Sequence, residues 1–127
     1  MKIAINQPFT FPYIGFYQLV SVVDKFIFYD DVAFMKQSWI NRNRILINGK
    51  DSYFTIQLEA ASSFKLISET EILYNPVKIN KILKTFQQAY AKAPYICKVM
   101  PILEDCFNAI HYEKRISKIA YISDKSI

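Results

Sequence analysis

The 127-residue sequence has few of the residues on which several common kinds of site depend. It contains 2 glycines, 2 cysteines and a single histidine. A glycine-rich phosphate loop of the Walker or G-x-G-x-x-G type is absent. With only His111, a Ser–His or Cys–His nucleophile and a histidine-based metal site have little support. Cys97 and Cys106 fit no metal-ligand spacing, and we interpret them as reduced residues of a helical core.

Long hydrophobic runs are also missing. No apolar stretch approaches the length of a membrane span. The apolar start, MKIAI, ends at Asn6-Gln7-Pro8, far short of the hydrophobic segment of a signal peptide. We therefore expect a cytoplasmic protein without a membrane span. At this length we expect one domain, with residues 1–127 forming a single unit.

Aromatic residues, in contrast, are abundant, with 10 phenylalanines and 9 tyrosines. Together with a hydrophobic content of 52%, this composition excludes a disordered chain. Aromatics in such number either thicken a core or line a binding surface. The net charge of +5 favours anionic partners, which include nucleic acid, a diphosphate ligand and an anionic membrane face.

The amino-terminal pattern predicts an α/β fold that begins with a βαβ unit. KIAIN is predicted to be a short, buried strand, and KFIFYDD a second strand rich in aromatics. Residues 14–24 between them suit a helix whose apolar positions include Ile14, Leu19 and Val22. Such a unit implies two parallel strands joined by a right-handed crossover.

The rest of the chain is predicted to form a β-hairpin and then a helical carboxyl-terminal half. Asn48-Gly49, between two β-prone runs, places the hairpin at about 42–58. ISETEIL is predicted to be a further strand. Asn75-Pro76 supplies an N-cap followed by proline at the first helical position. Further helices are expected at about 95–109, with a possible bend at Pro101, and from about Glu113 onward.

The loop after the first strand, NQPFTFPYIGF, is a candidate binding loop. Parallel α/β units bind ligands at the carboxyl ends of their strands. Gly15 allows backbone or ligand to approach closely, and Tyr13 offers a flat face for a base or a sugar ring. Gln7, which precedes Pro8, is a candidate for contact with the ligand. The alternative is that the loop aromatics are core residues, and we favour it for Phe9, Phe11 and Phe16.

Asp30 and Asp31 end the second predicted strand and should lie at the same edge as this loop. Adjacent side chains of a strand point to opposite faces, so one carboxylate is expected to face the crevice. That carboxylate can hold Mg²⁺, accept a ribose hydroxyl or take a proton from an attacking amine. The alternative is a polar strand end without a role in binding.

The segment KQSWINRNR carries the greatest density of binding groups. Arg42 and Arg44 would share one face of the first hairpin strand, where both can fork onto phosphate oxygens. Asn41 and Asn43 would share the opposite face. Further candidate binding residues in the segment are Lys36 and Trp39. The alternative is a solvated strand whose charges discourage edge pairing.

The stretch from Ile3 to Lys50 resembles the opening of the WbqC-like proteins of bacterial polysaccharide gene clusters. The family pattern consists of Gln-Pro, Pro-aromatic-x-Gly-aromatic, a pair of aspartates followed by an aromatic residue, and Asn-Arg-Asn. These elements fall on Gln7 and Pro8; Pro12, Tyr13, Gly15 and Phe16; Asp30, Asp31 and Phe34; and Asn41, Arg42 and Asn43. AYAKAPY, at 89–95, is similar to a later family motif.

Two departures from the family qualify the resemblance. Many members carry histidine where this chain has Asn6, so a proton-transfer role at that position is absent here. Family members also continue well beyond the point that matches ISDKSI. We therefore expect this chain to be the amino-terminal portion of a longer family domain.

The resemblance implies a glycine transferase, or more broadly an aminoacyl or acyl transferase, that acts on a nucleotide-activated amino sugar in O-antigen assembly. Under this resemblance, Arg42 and Arg44 would bind the diphosphate. Tyr13 and Trp39 would stack on the base and the sugar, and Asp30 or Asp31 would deprotonate the sugar amine. One alternative is a non-catalytic nucleotide-sugar-binding protein of polysaccharide assembly. A single-stranded nucleic-acid-binding domain ranks lower, since the other basic residues are scattered along helices.

Overall fold

A computed structural model describes residues 1–110 and 115–116 of the chain. The elements in chain order are β1 (Ile3–Asn6), α1 (Ile14–Val22), β2 (Lys25–Phe28), β3 (Arg42–Ile47), β4 (Lys50–Thr55), β5 (Leu58–Glu59), β6 (Glu71–Ile72), α2 (Pro76–Ala89) and α3 (Ile96–Ala109). A 3₁₀ turn at Ile67–Glu69 precedes β6. The predicted α/β class is confirmed: a parallel pair, a hairpin and a helical second half follow one another.

The amino-terminal βαβ unit has the predicted parallel strands. Ala4 of β1 pairs with Phe26 of β2, and α1 forms the crossover between the strands. Phe16 is the buried residue of α1, and its ring centroid lies 5.3 Å from that of Phe26. The predicted helix is present, but its apolar residues are not all buried, since Ile14 and Val22 are 71% and 61% exposed. The observed ring contact between β2 and this helix is that of Phe26 with Phe16.

The predicted hairpin is formed by β3 and β4. Asn48 and Gly49 have φ values of 52° and 77°, which are both positive, as a type I′ turn requires. The register pairs Arg44 with Tyr53 and Asn43 with Phe54. The hairpin ends at Thr55, earlier than predicted, because the chain turns away there to form the separate strand β5, which pairs with β6.

ISETEIL is only partly a strand. Its first residues form the 3₁₀ turn, in which a Glu69 carboxylate oxygen accepts a hydrogen bond from the backbone N of Leu66 at 3.2 Å. Pairing begins only at Glu71, opposite Glu59. The prediction of one continuous strand is therefore wrong, because this local side-chain contact favours a turn.

Both predicted helices of residues 76–110 are present. Asn75 Oδ1 accepts hydrogen bonds from the backbone N of Val77 (3.1 Å) and Lys78 (3.3 Å) at the start of α2. Helix α3 runs from Ile96 to Ala109 and includes Pro101. Of the helix predicted from Glu113 onward, the structure describes only Arg115 and Ile116, which are not helical: Arg115 forms an antiparallel bridge with Glu71, and the backbone N of Ile116 donates to the carbonyl of Thr70 at 3.0 Å. His111 and the other residues of that segment lie outside the described residues. No helix of the described part has the length and apolar character needed to cross a membrane.

The main core lies between the hairpin and the two long helices. Phe54 of β4 packs edge-on against Phe86 of α2, with ring centroids 4.8 Å apart. Phe11, in the loop after β1, packs between Phe54 and Phe107 of α3, at 6.5 Å and 5.7 Å. The predicted contribution of Phe11 to the core is thus observed. The loop, the hairpin and the helices are held together by one aromatic cluster.

Candidate functional site

The loop between β1 and α1 is tied tightly to the segment that leads into β3. Thr10 is 1% exposed, and its backbone N donates to the carbonyl of Trp39 at 3.0 Å. Its hydroxyl donates to the carbonyl of Ile40. The side-chain amide of Asn43 donates to the carbonyls of Thr10 (3.0 Å) and Phe11 (2.9 Å). These bonds fix the loop against the hairpin before any ligand is bound.

Phe11 adopts a backbone conformation that aromatic residues rarely adopt. Its φ is 43°, in the left-handed region, which costs free energy unless the surroundings hold it. Asn43 holds it, because the amide bonds the carbonyl of Phe11 and that of the preceding residue. The strained residue and its ring are therefore part of a preformed surface, and such strain is frequent at binding sites.

A cavity of about 500 Å³ opens between this loop, the inner face of the hairpin and the junction of α2 with α3. We call it the aromatic cavity. Its lining residues are Phe11, Tyr13, Asn43, Arg44, Ile45, Phe54, Phe86, Tyr90, Ala93, Pro94, Tyr95, Ile96, Val99 and Leu103. The segment AYAKAPY and the FTFPY loop both supply lining residues, so two motifs about eighty residues apart in sequence meet here.

Gly15 shapes the mouth of the aromatic cavity through Tyr13. A Cβ atom at Gly15 would collide with the Cε2 atom of the Tyr13 ring. The close approach predicted at Gly15 is therefore made by this ring. Tyr13 is 75% exposed, so its ring is available to a ligand at the cavity mouth.

The outer face of the hairpin carries a second feature, which we call the aromatic–arginine cluster: Trp39, Arg42, Arg44 and Tyr53. The rings of Trp39 and Tyr53 stack with centroids 6.3 Å apart and planes inclined by 23°. The Arg44 guanidinium carbon lies 5.4 Å from the Trp39 ring, and that of Arg42 lies 4.8 Å from Tyr53. The predicted sharing of one face by the two arginines is observed. Tyr53 was not predicted as a site residue, although its place opposite Arg44 follows from the Asn48-Gly49 turn.

The two guanidinium groups are only partly engaged by the protein. Arg44 forms an exposed ion pair with Asp51 at 3.5 Å, which is weak in water. Arg42 donates from Nη2 to the carbonyl of Gln37 at 2.8 Å. Its Nε is buried without a hydrogen-bond partner among the described residues. Each arginine therefore retains N–H donors for an anion.

Lys36 and Asn41 lie away from the aromatic cavity. They line a separate cavity of about 410 Å³ beside Phe34 and Leu58. The Asn41 amide donates to the carbonyl of Ile56 at 3.0 Å and so ties the base of the hairpin together. The structure thus divides the KQSWINRNR segment among two cavities and the aromatic–arginine cluster.

Comparison with known proteins places the chain in a family. The sequence profile of the WbqC-like protein family matches residues 7–126. The chain belongs to the WbqC-like protein family. It is 38% identical over 72 residues to the uncharacterized protein Rv1507c of Mycobacterium tuberculosis. The match covers 56% of this chain and 31% of that relative, so it spans about a third of the relative's length. No solved structure matches the chain.

The WbqC-like chain keeps its paired aspartates at the end of the βαβ unit. The backbone N of Tyr29 donates to the carbonyl of Asn6 at 2.7 Å, so the carboxyl ends of both strands stay together. The carbonyl of Asp30 accepts from Ser68 N at 2.8 Å, and Asp31 is exposed. Neither aspartate lines the aromatic cavity. Within residues 1–110 and 115–116, no three histidine, cysteine or carboxylate side chains are grouped as a metal site would require.

The Gln-Pro pair of this WbqC-like chain lies at the base of the loop. Pro8 is fully buried, and the backbone N of Gln7 donates to the Asn6 side chain at 2.8 Å. Neither residue lines the aromatic cavity. Of the predicted site residues, the structure brings Tyr13, Asn43 and Arg44 together at this cavity, and Trp39 and Arg42 join Arg44 on the outer face.

Proposed function

We propose that this WbqC-like chain binds a nucleotide-activated amino sugar and takes part in the transfer of an aminoacyl or acyl group to its amine during bacterial surface-polysaccharide assembly. The observation that supports the proposal is the aromatic–arginine cluster. Trp39 and Tyr53 are 38% and 53% exposed and present stacked rings beside two guanidinium groups. Stacking rings next to paired guanidinium forks suit a nucleobase attached to a diphosphate.

The paired aspartates supply the proposed chemistry. The sugar amine nitrogen attacks the carbonyl carbon of a thioester or another activated ester. A C–N bond forms, the bond from carbon to the leaving group breaks, and Asp30 or Asp31 takes the amine proton and passes it to the departing group. Neither aspartate has a side-chain hydrogen bond or ion pair with another residue of the described part. This supports their availability to a substrate.

The proposal is tested by calorimetric titration with UDP- and dTDP-amino sugars. The Arg42→Gln/Arg44→Gln double variant removes two charged forks, each contributing about 1.5–3 kcal/mol. We therefore expect a loss of affinity of roughly 100-fold or more. The Lys84→Gln/Lys92→Gln variant makes the same charge change at exposed positions and serves as the matched control. Unchanged affinity in a folded Arg42→Gln/Arg44→Gln variant would refute the phosphate role.

Two alternative functions are distinguished by experiments on the wild-type protein. A wild-type protein that binds a nucleotide sugar but turns over with no activated acyl or aminoacyl donor would favour the non-catalytic binding protein. The aromatic–arginine cluster also supports, to a lesser degree, binding of single-stranded nucleic acid. Aromatic rings stack on bases of any sequence, and the guanidinium groups attract the phosphates. Tight binding of oligo-dT that falls steeply with added salt would support that alternative.

A further inference from the structure

The aromatic cavity has almost no charge in its lining. Arg44 is the one lining residue with a charged side chain, and its guanidinium lies beside Trp39 and Asp51 on the outer face. The amide of Asn43 is occupied by the two loop carbonyls. The Tyr90 hydroxyl accepts a hydrogen bond from Leu46 N at 3.2 Å. The interior is left to aromatic rings and aliphatic side chains.

Such a lining selects against polar groups. A sugar hydroxyl or a diphosphate placed against these apolar walls would find few hydrogen-bond partners in the protein, which is unfavourable. The volume selects against small groups. An apolar cavity of roughly 150 Å³ accommodates a benzene molecule, and this one measures about 500 Å³. A glycyl group is too small and too polar to fill it.

We propose that the aromatic cavity is a binding site for an uncharged hydrocarbon chain. The walls are in place beforehand, since Asn43 fixes Phe11 and Phe54 packs on Phe86. Binding then buries apolar surface without first ordering the site. The existence of this site does not depend on the nucleotide-sugar proposal. The identification of this hydrocarbon as the acyl group of a donor does rest on that proposed function. With that identification, the transferred group is a longer acyl group rather than glycyl.

The first experiment is a chain-length series on the wild-type protein. Calorimetry with hexanoate, octanoate and decanoate measures the dissociation constant, while N-acetylglycine represents a small polar acyl compound. The carboxylate is the same throughout the alkanoate series, so the differences isolate the chain. We expect affinity to rise about fourfold for each CH₂ and roughly fifteenfold for each step of two. No binding, or affinity independent of length, would overturn the proposal.

The second experiment locates the binding. Val99 lies on α3 at the cavity wall, and Val99→Trp should obstruct part of the cavity and reduce the length dependence. Val77→Trp makes the same change at an exposed position of α2 and should leave it intact. Val99→Phe provides a smaller obstruction if the tryptophan variant does not fold. A length dependence that is unchanged in a folded Val99→Trp variant would place the hydrocarbon elsewhere and refute the site.

The two proposals fail separately. Arg42→Gln should weaken nucleotide-sugar binding and retain the alkanoate series, because Arg42 packs on Tyr53 and does not line the aromatic cavity. Val99→Trp should do the reverse. Loss of nucleotide-sugar binding alone leaves the hydrocarbon site standing, whereas failure of the alkanoate series leaves the aromatic–arginine cluster as the candidate site.

Discussion

Asn43→Ala should destabilise the protein far more than an ordinary change of a half-buried polar residue. The substitution removes two donated hydrogen bonds, of 3.0 Å and 2.9 Å, to the carbonyls of Thr10 and Phe11. It also removes the hydrogen bond of 2.8 Å that the backbone N of Arg44 donates to the side-chain Oδ1 of Asn43. At about 0.5–1.5 kcal/mol for each bond, the loss is roughly 3 kcal/mol. The unfavourable backbone conformation of Phe11, with its positive φ, adds to this loss, because the hydrogen bond that stabilises it is removed.

Urea denaturation followed by circular dichroism measures this loss directly. For a chain of this length a change of about 3 kcal/mol corresponds to a fall in Tm of roughly 10 °C. Asn41→Ala removes one bond and should cost roughly 1 kcal/mol. Asn80→Ala, at an exposed position of α2, should change stability by less than about 0.5 kcal/mol. A loss at Asn43 no larger than at Asn80 would refute the role of Asn43 as the tie between loop and hairpin.

Two glycine substitutions test separate features. Gly15→Ala should displace the ring of Tyr13, since the new methyl group would collide with its Cε2 atom. We expect weaker decanoate binding with little change in Tm, and equal affinity of the two proteins would show that Tyr13 does not shape the cavity mouth. Gly49→Ala introduces a side chain at a φ of 77° and should cost about 1–2 kcal/mol in urea denaturation. The open space around Gly49 makes backbone conformation the sole cause, so a neutral result would contradict the type I′ turn.

The features that the sequence predicted well are those whose cause lies within a few residues. Asn48-Gly49 fixes a hairpin because both positions tolerate positive φ. Asn75-Pro76 starts α2 because the asparagine side chain accepts hydrogen bonds from free backbone N–H groups of the first turn. Proline suits the first helical position because it has no backbone N–H that requires a partner. Neither outcome depends on distant parts of the chain.

The aromatic cavity was beyond such reasoning because its walls are far apart in sequence. Phe11, Phe54 and Tyr95 come from a loop, a strand and a helix junction, and no local pattern indicates that they meet. The role of Asn43 was hidden for a related reason. An asparagine in a strand can serve a ligand or the protein itself, and its partners, the Thr10 and Phe11 carbonyls, lie more than thirty residues away.

The register of the hairpin determines which ligand chemistry each surface presents. Side chains of a strand alternate, so β3 places Arg42 and Arg44 on the outer face and Asn43 and Ile45 on the inner face. A slip of one residue would exchange the two sets, put a guanidinium into the apolar interior and release the amide that holds the loop. The two-residue turn at Asn48-Gly49 prevents that slip, because its positive φ values fix which residues pair across the hairpin. One local turn thus keeps both the aromatic–arginine cluster and the aromatic cavity in place.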